Sequence, residues 1–468
     1  MVGSFKDKRV LIMGLGLHGG AVAVVKWLLK NKSKLTITDV KTKQELKNSL
    51  DKIKTKQKIK YTLGGHDIKD FVDQDLIVQN PGVPADSKYL IKARQNKIPI
   101  VNEAVMFFGL YPGKSIGITG TRGKSTTATI LHHILKTKIK SNVVAGNIAT
   151  NPMFTVLDKI KKNTWPVLEL SSWHLENMAE YKKSPHIAVV TNVLVDHLNR
   201  YKNFAAYKKA KLAIVKNQNK DDIAVLNADN VHSYGFAKQT KAKKFFFSLH
   251  KKVRGAYLCK DWICFYDGQK KSRIMPIQEI KLLGEHNLAN ILAAVTVAKI
   301  IGVGNKNIRL AVSKFKGVDY RLQYKGRVKG IDIFNDSTST TPDATQAALR
   351  AMQCRQVVLI AGGEDKQLDY RGLAKTIKEI ANFVILLSGT GSEKLIKELT
   401  KIDYPAYKLV TDINKLKNAW RLSLKHVNKQ AGCILFSPAA ASFNMFDNEF
   451  DRAKQFDKLF DGEKKTKK

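Results

Sequence analysis

The sequence predicts an α/β protein of three domains, and three observations carry that prediction. A chain of 468 residues, 44% of them hydrophobic, exceeds one compact core and provides for about three. Short apolar runs alternate with amphipathic stretches in each part of the chain, as the strands and helices of layered α/β domains do. Two glycine-rich turns each follow an apolar run and open a helical one, the setting in which backbone amides gather on phosphate.

The first domain, residues 1–105, begins with a strand at Arg9 to Met13, a glycine turn, a helix from Ala21 to Lys30 and a strand from Leu35 to Thr38 that ends at Asp39. Gly14-x-Gly16-x-x-Gly19 fits the dinucleotide fingerprint, and Asp39 falls about twenty residues on, where a ribose-binding carboxylate belongs. The domain is therefore expected to be Rossmann-like, and an NAD-dependent oxidoreductase stands as a second class of function. Leu76 to Asn80 reads as a further strand, running into the turn Pro81-Gly82-Val83-Pro84 at its carboxyl end. The basic and apolar start, Lys6 to Val25, has the outline of a signal peptide. His18, the glycine spacing and Lys26-Trp27 in place of a small-residue cleavage site argue against one. Nothing else approaches a span of about eighteen apolar residues, so a cytoplasmic protein without a membrane partner is expected.

Tyr111-Pro-Gly113 breaks the chain before the central domain, residues 106–315. There Gly117-Ile-Thr-Gly-Thr-Arg-Gly-Lys-Ser-Thr126 sets Gly120, Thr121, Gly123, Lys124, Ser125 and Thr126 between a strand and a helix. Such a loop takes ATP phosphates on its amides and its lysine, and a Ser or Thr hydroxyl reaches Mg²⁺, which predicts a P-loop-type ATPase domain. The spacing is shorter than the common P-loop, since its first glycine would fall at Ile118. Strands are expected at Val167 to Leu170, Ile187 to Thr191 and Ile223 to Asn227, short β-runs between Ala237 and Pro276, and a helix from Leu288 to Ile301. Glu169 ends one strand on the sheet edge expected to hold the phosphates, and Asp196-His197 ends another. A carboxylate there suits Mg²⁺, a hard cation that prefers oxygen.

The third domain, residues 316–468, carries strands at Ile331 to Asn335, Val357 to Ala361, Phe383 to Leu387 and Cys433 to Ser437, again Rossmann-like, and a tail from Gly462 expected to be disordered. A net charge of +41 raises nucleic acid as a partner, but the lysines are spread through every segment, so no dedicated nucleic-acid surface is expected. The basic field favours an anionic nucleotide substrate. Four scattered cysteines form neither a disulfide framework nor a zinc site, in keeping with reduced thiols.

The order of motifs resembles the Mur ligase family. It runs Gly-Thr-x-Gly-Lys-Ser-Thr, Ala145-Gly-Asn-Ile148, Glu169-Leu-Ser-Ser, Asp196-His197-Leu-Asn-Arg-Tyr201, Tyr207-Lys-Lys-Ala-Lys211, Leu283-Gly284-x-His286-Asn287-x-x-Asn290, Asn335-Asp336-Ser337 and Ser437-Pro-Ala-Ala-Ala-Ser442. The resemblance spans essentially the whole chain and is strongest to the glutamate-adding branch. It implies ATP, UDP-N-acetylmuramoyl-L-alanine and glutamate as substrates, Mg²⁺ as cofactor and a monomeric enzyme. Lys124 would contact the β and γ phosphates, and Ser125, Glu169 and His197 would hold metal. Lys211 matches a lysine that is carbamylated in the family, which would turn a cation into an anionic ligand. Asn287 and Asn290 match adenine-side contacts, and Arg321 and Asp336 match groups that close over ATP. Gly16, Leu17, His18, Asp39 and Gly82 would face the UDP end, with Asn147, Ser171 and His174 nearer the sugar, although His174 replaces a more usual glutamine.

Thr340, Lys366 and Ser442 match glutamate-binding positions. Two departures concern the same pocket: Thr338 stands where D-glutamate enzymes usually carry lysine, and Glu449 where they carry phenylalanine. The first departure also resembles an L-glutamate-adding relative. A folylpolyglutamate-synthase-like ligase shares the central machinery, but the βαβ domain ahead of the phosphate loop speaks against it.

Overall fold

The computed structural model describes every residue except 1–3, 18, 85, 149–150, 199, 355, 413, 428–431, 443–444 and 466–468. The chain gathers into two compact units: residues 1–197, 201–277 and 289–313 make the first, and 198–200, 278–288 and 314–468 the second.

The first unit holds two sheets. The smaller contains β1 (Arg9–Met13), β2 (Lys34–Asp39), β3 (Ile59–Leu63), β4 (Leu76–Gln79) and β5 (Ile100–Val101) in the order β3-β2-β1-β4-β5, all parallel. Strands covered on both faces read as unbroken apolar runs, and Val10 to Met13 are each no more than 1% exposed. Helix Gly20–Lys30 covers one face with Val22, Val25, Leu28 and Leu29.

The larger sheet has nine strands: β6 (Ile116–Thr119), β7 (Asn142–Gly146), β8 (Trp165–Glu169), β9 (Ile187–Val190), β10 (Ile223–Asn227), β11 (Lys243–Ser248), β12 (Gly255–Cys259), β13 (Trp262–Tyr266) and β14 (Lys271–Pro276). Their order is β14-β13-β12-β11-β10-β9-β6-β8-β7, parallel from β7 to β12 and antiparallel beyond. The two sheets are tied within this unit. The Asn102 side chain caps helix Glu103–Leu110 and donates to the His174 carbonyl at 3.0 Å, and buried Glu103 accepts from the Met153 amide at 2.7 Å. That helix runs through positions 105 and 106, where the sequence divides the first two domains.

The second unit is built on β15 (Gln323–Val328), β16 (Ile331–Asn335), β17 (Gln356–Gly362), β18 (Ala381–Leu387), β19 (Tyr407–Val410) and β20 (Gly432–Phe436). The order is β15-β16-β20-β17-β18-β19, parallel apart from the β15–β16 hairpin. The tail departs from expectation, because helix Glu449–Lys465 continues through Gly462 instead of leaving a disordered end there. Arg452, Phe456 and Phe460 recur every four residues on its inward face, and Phe456 stacks on Phe436 with ring centroids 4.5 Å apart. Arg452 is fully buried, donating to the Ser337 hydroxyl and carbonyl and to the Ala440 carbonyl.

Among the described residues no helix is long and apolar enough to cross a membrane.

Candidate active site

The phosphate loop leaves β6 at the carboxyl edge of the nine-stranded sheet and enters helix Lys124–Leu135. Gly123 adopts φ +82°, and a Cβ there would lie 2.1 Å from Asn290 Oδ1, so glycine alone fits. Side chains from β9 and its following loop fix the shape: Thr191 Oγ1 donates to the Arg122 carbonyl at 2.6 Å, and Asn192 Oδ1 accepts the Arg122 amide at 2.9 Å. Asn290, on helix Glu285–Ile300, accepts from Thr127 Oγ1 at 3.3 Å. Of the two adenine-side candidates, Asn290 is thus joined to the phosphate-loop helix, whereas the Asn287 side chain donates to the Leu283 carbonyl at 2.8 Å.

Register sets Glu169, the last residue of β8, beside Ile118 of β6. Ser125 Oγ donates to Glu169 Oε2 at 2.6 Å, and Asn147 Nδ2 reaches Oε1 at 3.3 Å. The Lys124 ammonium folds back on the Gly120 and Thr121 carbonyls at 2.9 and 3.1 Å. Lys211 donates to the same Gly120 carbonyl at 2.8 Å, lies 4.7 Å from the centre of the Tyr207 ring and is 1% exposed. Burial, then the neighbouring Lys124 charge, drives its amine well below the ordinary lysine value, against the pull of Asp196 and Glu169. A lysine in the run Lys-Lys-Ala-Lys, which reads equally as solvated, is therefore part of the loop's floor.

Asp196 and His197 stand apart in role. Asp196 pairs with Arg122 at 2.8 Å. Burial opposes its ionisation, but Arg122 and His197 overcome that and hold the carboxyl at about 2. His197 takes φ +53°, and its ring lies 5.6 Å from Trp173 and 5.8 Å from Tyr207, with Nε2 3.7 Å from Asp196. Arg122 sits at the variable position of the loop motif, and sequence reading missed its role because its partner is 74 residues away.

Among the described residues no group of three or more His, Cys, Asp or Glu side chains forms a metal cage. The donors present nevertheless fit Mg²⁺, which keeps several waters and needs one or two protein oxygens beside phosphate. The Ser125 hydroxyl and Glu169 carboxylate, already in contact, supply them.

In the first sheet, Asp39 Oδ2 accepts the Gly16 amide at 3.1 Å and Oδ1 accepts the Lys41 amide at 2.9 Å, so the carboxylate closes onto the glycine turn. Asn80 bridges that turn to Gly82, donating to the Gly14 carbonyl and accepting the Gly82 amide. Leu17 is 40% exposed beside it, and His18 lies outside the described residues. His174, expected to face the sugar, sits at the start of helix Ser172–Glu180. Its ring turns inward, 3% exposed, and accepts from the Ser171 amide while Ser171 Oγ accepts the His174 amide, a reciprocal helix cap. Burial pushes the imidazole down to about 4, so it is neutral at pH 7.

In the second unit, the loops after β16, β17 and β20 are stitched together by Ala439 to Ser339 and by Glu364 to Ala441 backbone bonds. Lys366 Nζ meets Thr340 Oγ1 at 2.9 Å. Ser442 is 1% exposed, and among the described residues its buried hydroxyl has no hydrogen-bond partner. Asp336 is raised to about 6 by burial, partly offset by Ser339, Ser437 and Leu322 donors and by Arg321. Glu449 opens the last helix, where its charge suits the helix N-terminus, and its carbonyl accepts from Ser337 Oγ at 2.9 Å.

The chain has relatives among known proteins along nearly its whole length. The chain matches the domain models for the Mur ligase MurD-like N-terminal domain over residues 8–102, the Mur ligase middle domain over 118–298 and the Mur ligase glutamate ligase domain over 320–440. It is 37% identical to the UDP-N-acetylmuramoylalanine–D-glutamate ligase of Koribacter versatilis over 97% of both chains. It is 35% identical to the ligase of the same name from Roseiflexus sp., over 97% of this chain and 98% of that one. Among solved structures, the UDP-N-acetylmuramate–alanine ligase of Thermotoga maritima matches with a TM-score of 0.64 at 20% identity, covering 97% of this chain and 100% of that one. MurF ligase from the same organism, solved with ADP, matches at 0.60 with 17% identity over 100% and 98%. With a phosphate loop, a hydroxyl–carboxylate pair and a buried lysine gathered at one sheet edge, and with all three domain models matched in order, the chain belongs to the Mur ligase family of ATP-dependent ligases.

Proposed function

We propose that this enzyme joins D-glutamate to UDP-N-acetylmuramoyl-L-alanine in peptidoglycan precursor synthesis, acting as a cytoplasmic monomer. The ligase reading rests above all on the Ser125–Glu169 contact of 2.6 Å at the head of the phosphate-loop helix. The choice of acceptor rests on the relatives matched along nearly the whole chain. All four cysteines are unpaired, in keeping with a reducing compartment.

In the first step the substrate carboxylate attacks the ATP γ-phosphate, forming a P–O bond and releasing ADP. The glutamate amine then attacks the acyl carbon, the C–O bond to phosphate breaks, and the amine loses a proton to solvent as the amide forms. Both steps build negative charge on clustered oxygens, so fixed positive charge and amide dipoles supply most of the stabilisation. Lys124 exchanges its two loop carbonyls for phosphate oxygens when ATP arrives. Asn290 and Thr127 brace the helix behind it. Mg²⁺ held by Ser125 and Glu169 would neutralise phosphate charge. His197 would contribute to a second metal, and Lys211, enclosed beside the loop, is positioned to become its anionic partner once carbamylated. Gly16, Leu17, Asp39 and Gly82 form the UDP side, with Asn147 and Ser171 towards the sugar. Arg321, Asp336 and Asn287 match ATP-binding positions of the family. Lys366, Thr340 and the buried Ser442 hydroxyl take the two glutamate carboxylates.

Phosphate release from ATP, measured with UDP-N-acetylmuramoyl-L-alanine and each glutamate enantiomer, tests the reading. Turnover with D-glutamate is expected. Turnover with L-glutamate alone would move the enzyme to the branch that Thr338 resembles, and absence of turnover with both would remove the assignment.

A further inference from the structure

The antiparallel end of the nine-stranded sheet carries chemistry that the phosphate-loop reaction does not use. Tyr257 and Cys259 share one face of β12 because they are two residues apart. Register sets Tyr257 opposite Cys264 on β13, and Cys264 opposite Arg273 on β14. Lys271, opposite Tyr266, shares that face, and its Nζ lies 3.2 Å from Cys259 Sγ. Two thiols, a phenol and two cations thus meet on one patch. Tyr257 is 3% exposed, and its buried hydroxyl lies beside Lys271. The charged and titratable groups acting on that phenol are Lys271, Cys264 and Cys259.

We propose that Cys259 is a site of oxidative modification by peroxides, with Cys264 as the thiol that resolves it into a disulfide. The assignment is independent of the ligase reading. A thiol is nucleophilic as thiolate, and a lysine in hydrogen-bond contact favours that form. The Lys271 contact, helped by donation from the Cys264 thiol and by the Lys271 and Arg273 charges, draws Cys259 below the ordinary cysteine value although some burial opposes it. Burial, and the neighbouring Cys259, push Cys264 the other way, so it waits as the protonated partner. Cys259 is partly exposed while Cys264 is buried, which separates the thiol that meets solvent from the one that follows.

With hydrogen peroxide, the Cys259 thiolate forms an S–O bond as the O–O bond breaks, and the leaving hydroxide takes a proton from Lys271, which solvent restores. The Cys264 sulfur then attacks the sulfenic sulfur. An S–S bond forms, the S–O bond breaks, and hydroxide departs with the Cys264 proton as water. The two thiols together lose two electrons and the peroxide becomes two waters.

The test treats the full chain with hydrogen peroxide at neutral pH and follows each cysteine by peptide mass spectrometry. Cys354 is the internal reference: contact with the Cys433 thiol draws it below the ordinary cysteine value too, against burial and the Asp332 carboxylate, and it differs from Cys259 in lacking the Lys271 contact. A Cys259–Cys264 disulfide is expected to form measurably faster than Cys354 is oxidised, because a lysine ammonium lies 3.2 Å from the Cys259 sulfur. In Cys264→Ser, a dimedone-type probe should capture a sulfenic acid at Cys259. Lys271 is exposed, so Lys271→Met should fold, and there the alkylation of Cys259 should slow by about tenfold with its pH midpoint moved upward. Equal oxidation of Cys259 and Cys354, or a Lys271→Met protein with an unchanged alkylation profile, would overturn the proposal. Rapid oxidation of Cys259 with no link to Cys264 would overturn the resolving role.

Discussion

The Thr338 hydroxyl donates a 2.8 Å hydrogen bond to the Tyr320 carbonyl, and the Thr338 amide reaches the same oxygen at 3.2 Å. On the other side of Arg321, the Leu322 amide donates to Asp336 at 2.8 Å. Tyr320 and Leu322 both hold left-handed φ angles, +64° and +46°, which non-glycine residues adopt only when their surroundings impose it. Thr338 therefore holds the loop that presents Arg321, and its side chain is occupied with backbone instead of acceptor. Thr338→Val is expected to raise the KM for ATP about fivefold, the worth of roughly 1 kcal/mol for one hydrogen bond, while the KM for glutamate stays within twofold. Thr338→Ser should restore it. A rise in the glutamate KM alone would refute this division.

Lys124→Ala should leave the fold intact, because the ammonium sits on the loop carbonyls of Gly120 and Thr121 and adds little core packing, and should reduce ligation below about a tenth of wild type. Circular dichroism with phosphate release separates the two effects. Activity above that level would remove the charge-stabilisation role.

Lys366→Ala should raise the glutamate KM by an amount corresponding to about 1.5–3 kcal/mol, the range for a charge-assisted hydrogen bond. Steady-state kinetics at saturating ATP reads this directly. An unchanged KM would dissolve the acceptor-pocket assignment, whereas a fall in kcat alone would shift Lys366 towards the phosphoryl step.

Lys211→Ala is expected to lose activity and to regain part of it with a short-chain carboxylic acid able to occupy the vacated anion position. Full activity of the wild type in bicarbonate-depleted buffer, with an unmodified lysine by intact mass, would contradict carbamylation.

Glu103 gives a pH-dependent stability. Burial, against the Met153 and Phe154 amides, raises its carboxyl to about 7 from an ordinary 4.5. The folded state thus binds the proton more tightly than the unfolded chain, so stability falls as pH rises from about 4.5 to 7 and is level above. Glu103→Gln should flatten that slope, which on linkage is on the order of a few kcal/mol at most across the window. Urea midpoints at pH 5 and pH 7.5 measure it, and identical slopes in both proteins would disprove it.

The phosphate loop was legible because its signal is local: glycines, a lysine and two hydroxyls between an apolar strand and a helix. The same holds for Glu169 and for the βαβ unit around Gly14 to Asp39. Arg122 was not legible, since its role depends on Asp196 across the sheet edge. Neither was the inward turn of His174, because a histidine at the third position of a helix reads alike as ligand or as cap. The helix past Gly462 was missed for another reason. Its polar, lysine-rich composition masks an apolar stripe, and the stripe's first member is the arginine at 452, buried by bonds that only the fold supplies.

The position of β20 between β16 and β17 also governs when the enzyme becomes competent during synthesis. On the ribosome, the β15–β16 hairpin and the β17–β19 half of the sheet emerge with facing edges unpaired, because the strand that joins them starts only at Gly432. Such edges invite pairing with other chains, so a nascent chain stalled before Gly432 is a substrate for chaperones. The loops that carry Thr340, Lys366 and Ser442 are completed by helix Glu449–Lys465, which brings Arg452 to Ser337 and Ala440. A partial chain that lacks β20 therefore lacks the assembled loop cluster around Ser339, Glu364 and Ala441.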